Sequence, residues 1–262
     1  MQVSLFYILA LKLYNSAMPK LHLMRWTVLL ILALGLLPGQ TGSAQQPAAL
    51  ILLTPGEGSL VTSPIHLSAE IHASPQGVLR LALVDQGGRD ISRQLWQITE
   101  ITPGTAVETI IPYEIPSDSA EALLTLSLLD AKGRPISVRS VPLTLQSSGE
   151  ARLKESLSTD PWLTFIRPVL HETITGGMLV IEGSLTPVTD SPMFFELVTF
   201  SGKTIITKQL PVTNPGIQTI VEVSLPYSIQ SLEEDVRLVV RQVRYPFGVT
   251  AILDSMLLNL TP

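Results

Sequence analysis

The residues able to do chemistry are few, and their spacing decides against most of it. Phe200-Ser201-Gly202-Lys203-Thr204 ends like a phosphate-binding loop, but the first of its eight positions is Leu197 instead of glycine. Ile205-Ile206-Thr207 then continues as strand where that loop requires a helix, so Lys203 is expected on a hairpin turn. His66, His72 and His171 are too dispersed to supply three converging ligands, and cysteine is absent, so no metal site is expected. Glu233-Glu234-Asp235 and the pair Asp85/Asp90 lack the alternating oxygen ligands of a calcium loop. No serine stands in a nucleophile-elbow context, so catalytic residues and cofactors are both expected to be none, and the chain reads as non-enzymatic. Asn259-Leu-Thr261 is a formal glycosylation triplet.

The aromatic residues remain as candidates for a ligand or partner surface: Trp96, Phe194, Phe195, Tyr245 and Phe247. Sugar-binding sandwiches expose platforms of this kind, because a large amphipathic ring can cover a pyranose face. Strand alternation sends one of Phe194 and Phe195 inward and the other outward. Tyr113 and Tyr227 differ from these. They recur at one position of an internal repeat, which predicts a shared structural bond from the hydroxyl to backbone near a strand start.

That repeat organises the chain. At an offset of 114 residues, Ile111-Pro112-Tyr113-Glu114-Ile115 lies over Leu225-Pro226-Tyr227-Ser228-Ile229, and Gly88-Arg89 lies over Gly202-Lys203. Leu83 meets Leu197, Ile91 meets Ile205 and Leu124 meets Leu238, while one residue of slip sets Pro55 over Pro168. Each copy alternates apolar and polar residues in short runs between glycine turns, as in Val78–Val84 before Asp85-Gln-Gly-Gly88 and Leu123–Leu129 before Asp130-Ala-Lys-Gly133. About seven short strands in about 100 residues is the proportion of a β-sandwich. The expected fold is therefore all-β, with sandwiches over 49–146 and 162–262 and a polar linker over 147–161. Within that linker, Leu153 and Leu157 are spaced to pack a short helix as the alternative to a free tether.

Ahead of the repeats, Met18-Pro-Lys20-Leu-His22-Leu-Met-Arg25 is basic and Val28–Leu37 is apolar. Pro38-Gly39 breaks the run and Gly42-Ser43-Ala44 offers a small-residue exit, so 1–44 reads as a signal peptide, with 1–17 as an upstream extension. An uncleaved anchor is the alternative, and the only membrane contact expected is through that segment. Cleavage would remove Lys12, Lys20 and Arg25 and no acid, leaving 14 basic against 22 acidic side chains, a net charge of −8. That balance argues against nucleic acid as a partner.

The opening strand–Pro–loop–strand of the first copy carries a resemblance: Ile51-Leu-Leu-Thr54-Pro55-Gly56-Glu-Gly58-Ser-Leu60-Val61-Thr-Ser63-Pro64-Ile65-His-Leu67-Ser-Ala69, with Asp85-Gln-Gly-Gly88 and Ile111-Pro-Tyr113 further on. These segments resemble the immunoglobulin-like domain of bacterial spore germination proteins and of other exported bacterial proteins. The second copy departs at Arg167-Pro168-Val-Leu-His171-Glu, which lacks the glycines. The resemblance implies two tandem immunoglobulin-like β-sandwiches outside the cytoplasm, secreted or held at the cell envelope. It implies a spacer or interaction module whose partner is an envelope or extracellular protein. A carbohydrate-binding module, with a glycan as partner, is the alternative.

Overall fold

A computed structural model describes residues 49–72, 77–98, 102–156 and 161–262 of the chain. The expected signal segment, 1–44, lies outside the described residues. Among the described residues there is no helix, and eight strands occur twice in the same order. The first set is β1 (Leu50–Thr54), β2 (Ser59–Thr62), β3 (Ile65–Ile71), β4 (Gly77–Asp85), β5 (Asp90–Ile98), β6 (Thr105–Ile111), β7 (Ser119–Leu129) and β8 (Pro135–Gln146). The second set is β9 (Leu163–Arg167), β10 (Thr173–Ile174), β11 (Met178–Leu185), β12 (Met193–Thr199), β13 (Thr204–Leu210), β14 (Thr219–Pro226), β15 (Glu234–Arg244) and β16 (Val249–Leu260).

Each set makes a sandwich. In the first, β1-β3-β6 faces β5-β4-β7-β8, and β2 pairs parallel with β8. In the second, β9-β11-β14 faces β13-β12-β15-β16, and β10 pairs parallel with β16. An antiparallel sandwich whose opening segment crosses from one sheet to the other is the immunoglobulin-like plan. Period-two burial builds it: Ile65, Leu67, Ala69 and Ile71 of β3 face the first core, while His66, Ser68 and Glu70 point away. In the second core Leu179, Ile181, Phe195, Leu197, Val223 and Leu238 take the matching places. The β4–β5 and β12–β13 turns each place a glycine in the left-handed region, Gly88 at φ 77° and Gly202 at φ 90°, as a tight hairpin needs.

One buried exchange between the copies changes the chemistry. Leu128 of the first core corresponds to Gln242 in the second, and Gln242 is also fully buried. Its Oε1 accepts from the N–H groups of Val188 (2.8 Å) and Thr189 (3.1 Å), and its Nε2 donates to the carbonyls of Thr189 (2.8 Å) and Ser191 (2.6 Å). All its amide valences are used, and the loop before β12 is pinned to β15.

The sandwiches are joined edge to edge. β8 and β16 pair antiparallel, Ile252 with Arg139, Leu253 with Val138 and Asp254 with Ser137. A single sheet therefore runs β13-β12-β15-β16-β8-β7-β4-β5. Positions 139 and 253 are repeat equivalents, as are 138 and 252, so the junction is locally two-fold: equivalent strands meet about an axis between them, as in an isologous dimer. The connector is not a free tether over its described part, nor a helix. Leu60 and Arg152 exchange backbone hydrogen bonds (3.0 and 2.8 Å), Gly56 N donates to the Lys154 carbonyl (2.6 Å), and Ser156 N donates to the Leu53 carbonyl (2.8 Å). Residues 152–156 thus run extended along the first sandwich. Gly56 permits this, because a Cβ there would collide with the Glu155 carbonyl oxygen. Leu153 is exposed, and Leu157 lies outside the described residues.

Candidate functional site

The residues singled out for chemistry have ordinary structural employment. Residues 199–204 form the β12–β13 turn, with Gly202 N donating to the Thr199 carbonyl and Lys203 N to Thr199 Oγ1. A strand follows, as the apolar run predicted. Asp85 accepts from the N–H groups of Gly87 (2.8 Å) and Arg89 (2.9 Å) and from Arg89 Nε (2.8 Å). The Arg89 backbone bond is foremost among the interactions that hold this carboxyl below the ordinary range. Asp90 pairs with Arg93, Glu234 accepts from Ser231 Oγ and Asp235 accepts from Asn259 Nδ2. His72 Nε2 lies 3.1 Å from Glu70 Oε2. Among the described residues no group of three or more His, Asp or Glu side chains converges as metal ligands would.

The five aromatic candidates are dispersed over three environments. Phe195 is fully buried in the second core, which removes it from any surface. Phe194 is on the opposite face of β12, where the Arg241 guanidinium sits 4.6 Å from its ring centre and is itself bound in a fork to Glu196. Trp96 packs against the first core. Phe247 packs with Val249 against Ala82, Val84 and Leu123 of the other sandwich. Tyr245 is 72% exposed. These positions do not assemble a flat aromatic platform. The two repeat tyrosines do share a bond: Tyr113 Oη lies 2.7 Å from the Val61 carbonyl and 2.8 Å from that of Gln146. Tyr227 Oη lies 2.8 Å from the Ile174 carbonyl and 2.9 Å from that of Thr261. Each hydroxyl clasps the crossing strand to the last strand of its sandwich.

The densest buried chemistry lies at the junction, which the linear sequence did not disclose. Asp254 Oδ2 accepts from Arg139 Nη2 (2.7 Å) and Trp162 Nε1 (2.6 Å), and its Oδ1 accepts from Ser137 Oγ (2.6 Å). Both ion-pair partners are nearly buried, Arg139 at 12% and Asp254 at 13% side-chain exposure. Arg139 Nη1 also donates to the Leu253 carbonyl (3.1 Å), and its guanidinium lies over the Trp162 ring. At the β7–β8 turn, Asp130 accepts from Arg134 and from the N–H groups of Lys132 and Arg134, while Arg134 Nη1 reaches the Phe200 carbonyl of the other sandwich (2.8 Å). Burial opposes ionisation of Asp130 most strongly, yet the Arg134 side chain and the two backbone donors outweigh it and keep the carboxyl below its usual range. Arg237 stands 3.7 Å from Asp130, and burial lowers its pKa.

A cleft of about 520 Å³ opens beside this junction, lined by Leu52, Glu57, Arg139, Trp162, Gln218 and Arg244 among others. Its charged groups are taken up internally: Arg139 by Asp254, and Arg244 by Glu57 (3.1 Å). The cleft is the seam of an intramolecular interface.

The outer faces of the two small sheets differ. On β9-β11-β14 the exposed side chains include Met178, Val180, Ile166 and Ile220, the last 86% exposed. In the first sandwich the positions equivalent to Met178, Val180 and Ile220 hold Pro64, His66 and Ala106. The shared fold therefore does not require apolar residues at those three positions, while the first copy's small sheet exposes Ile110 where the second has Ser224.

No protein-family model matches the chain, and no curated protein is similar to it in sequence. Among solved structures it is similar to the fibronectin(III)-like modules of Clostridium thermocellum CbhA (12% identity over 81% of this chain and 93% of that one, TM-score 0.25). It is also similar to the Salmonella enterica SafA pilin in complex with the SafB chaperone (10% identity over 79% and 95%, TM-score 0.28). A third is the ICAM-5 D1–D4 ectodomain fragment (15% identity over 82% and 54%, TM-score 0.23). At these identities and scores the likenesses say nothing of what this chain does.

Proposed function

We propose that the chain is an exported, non-enzymatic interaction module, anchored at or released from the cell envelope, that docks a protein partner on the outer face of β9-β11-β14. The observation that carries this reading is the asymmetry between duplicated faces: Val180 and Ile220 stand exposed where the first copy has His66 and Ala106. Solvent-exposed aliphatic side chains that no core demands are retained at a cost in solubility, and interaction sites are where that cost is met. Around them Glu182 and Glu222 sit directly opposite each other in the β11–β14 register, giving the face a polar centre. The resemblance to exported immunoglobulin-like domains, spore germination proteins included, fits the same reading, as do the leader-like residues 1–44. The glycan alternative has less support, since one of its five aromatic candidates is in a core and another is in the junction.

The test is a photo-crosslinking amino acid placed at Ile220 and, separately, at its counterpart Ala106, in the chain expressed in its own host. Adducts with an envelope or extracellular protein from position 220 and not from 106 are expected. No adduct, or the same adducts from both positions, overturns the assignment of the face. Intact mass and fractionation of the same material check the compartment: a mature chain beginning after Ala44 outside the cytoplasm is expected, or a full-length chain in the membrane fraction if the segment is retained.

A further inference from the structure

Each sandwich has a closed side and an open side. On the closed side β2 or β10 pairs with the last strand of the large sheet. On the open side β5 and β6, and likewise β13 and β14, each have one ladder neighbour among the described residues, as β1 and β9 do on the other side, so one row of their backbone groups has no described strand to pair with. Such a row is a template for strand addition. The junction shows such pairing within the molecule: beyond the stretches that β2 and β10 cover, β8 and β16 pair with each other and fuse two sheets into one.

The open sides carry a device that the junction edges lack. Gln94 Nε2 on β5 crosses to the small sheet and donates to the Ile110 carbonyl on β6 (2.9 Å). One repeat later, Lys208 Nζ on β13 donates to the Ser224 carbonyl on β14 (3.3 Å). Donor and acceptor positions are both related by the 114-residue offset, although the donors are chemically different. A register irregularity repeats as well, between Leu83 and Val84 against β5 and between Leu197 and Val198 against β13. Bulges of this kind twist an edge away from a flat incoming strand.

We propose that Gln94 and Lys208 are edge guards: each covers an outward carbonyl on the open side of its sandwich and keeps a second copy of this chain from adding its own edge strand there. The guard acts by occupying the acceptor and by laying a polar side chain across the gap between the two sheets. With the β8 and β16 edges joined to each other, the guards protect the opposite side of each sandwich.

The experiment compares the full chain with Gln94→Ala/Lys208→Ala and with Gln94→Lys/Lys208→Gln, in which a long donor remains at each position. Sedimentation velocity over a broad concentration series reads association, and the amide I band reads intermolecular strand pairing. The unaltered chain and the exchanged-donor variant are expected to stay monomeric, while the alanine variant loses monomer as concentration rises and gains the intermolecular band. A folded alanine variant that remains monomeric throughout overturns the proposal, as does an unaltered chain that associates equally. If the double variant loses its near-ultraviolet circular dichroism, the single Gln94→Ala variant decides: folded and self-associating supports the guard, folded and monomeric overturns it.

Discussion

At the scale of single residues, the repeat tyrosines show how a side chain can be read from sequence without its partners being known. Recurrence of Tyr113 and Tyr227 after Ile-Pro and Leu-Pro implied one shared bond, and the structure supplies its acceptors, the crossing strand and the last strand. Replacing Tyr113 with Phe leaves the Val61 carbonyl without its buried donor and is expected to cost about 1–3 kcal/mol, read from urea unfolding at neutral pH. Burial raises the Tyr113 pKa above its ordinary 10.0. The phenol is therefore a weaker acid in the folded chain than in the unfolded one. Its stabilisation is complete below the unfolded pKa, about 10, and is lost as pH rises through the higher folded value. The wild-type chain should lose stability through that alkaline window more steeply than Tyr113→Phe; equal slopes would refute the linkage. Gln242 was invisible by the same means, because a glutamine in an alternating strand reads as solvent-facing until the loop it pins is seen.

At the scale of elements, the strands were legible because apolar and polar residues alternate along them, and the hairpin turns because glycines mark them, as in Asp85-Gln-Gly-Gly88 and Asp130-Ala-Lys-Gly133. The pairing of β8 with β16 was not legible. Ser137, Arg139 and Asp254 are polar residues at strand positions, and polarity alone cannot distinguish a solvated edge from a buried ion pair. The cover over Phe247 is equally hidden in the sequence, because Phe247 sits in a turn and the sandwich that covers it is distant along the chain. Asp254→Asn removes the charge that compensates a nearly buried Arg139 and is expected to destabilise the chain by about 3–5 kcal/mol. Exchanging the pair for the residues of the opposite copies, Arg139→Leu with Asp254→Ser, removes both charges together and should recover most of that loss. A double variant no more stable than Asp254→Asn would show that the single-site cost is not that of a stranded charge.

At the scale of the whole molecule, two hydrophobic cores share one sheet, with further apolar contact where Phe247 meets Ala82 and Val84 and where Val138 meets Val239 and Leu253. Unfolding one sandwich exposes its half of the junction on the other, so a single cooperative thermal transition is expected by calorimetry, with agreeing calorimetric and van't Hoff enthalpies. Two resolved transitions would show that the junction is too weak to couple the cores. The repeat arithmetic disclosed both copies, but it described them as serial because an offset carries no information about which edges meet.

The two-fold junction has a further consequence for which halves can mate. Under the repeat correspondence Arg139 matches Leu253, Asp254 matches Ser140, Asp130 matches Arg244 and Arg237 matches Leu123. Two first halves brought together in this way would set Arg139 against Ser140, leaving it without its counter-ion, and Asp130 against Leu123, leaving it only Arg134 of its own turn. Two second halves would set Arg244 against Arg237. Only unlike halves complete both ion pairs, so the junction is a lock-and-key between siblings that have ceased to fit themselves. The charges at the junction are thus a preference, built into the two halves, for the mate the chain already carries.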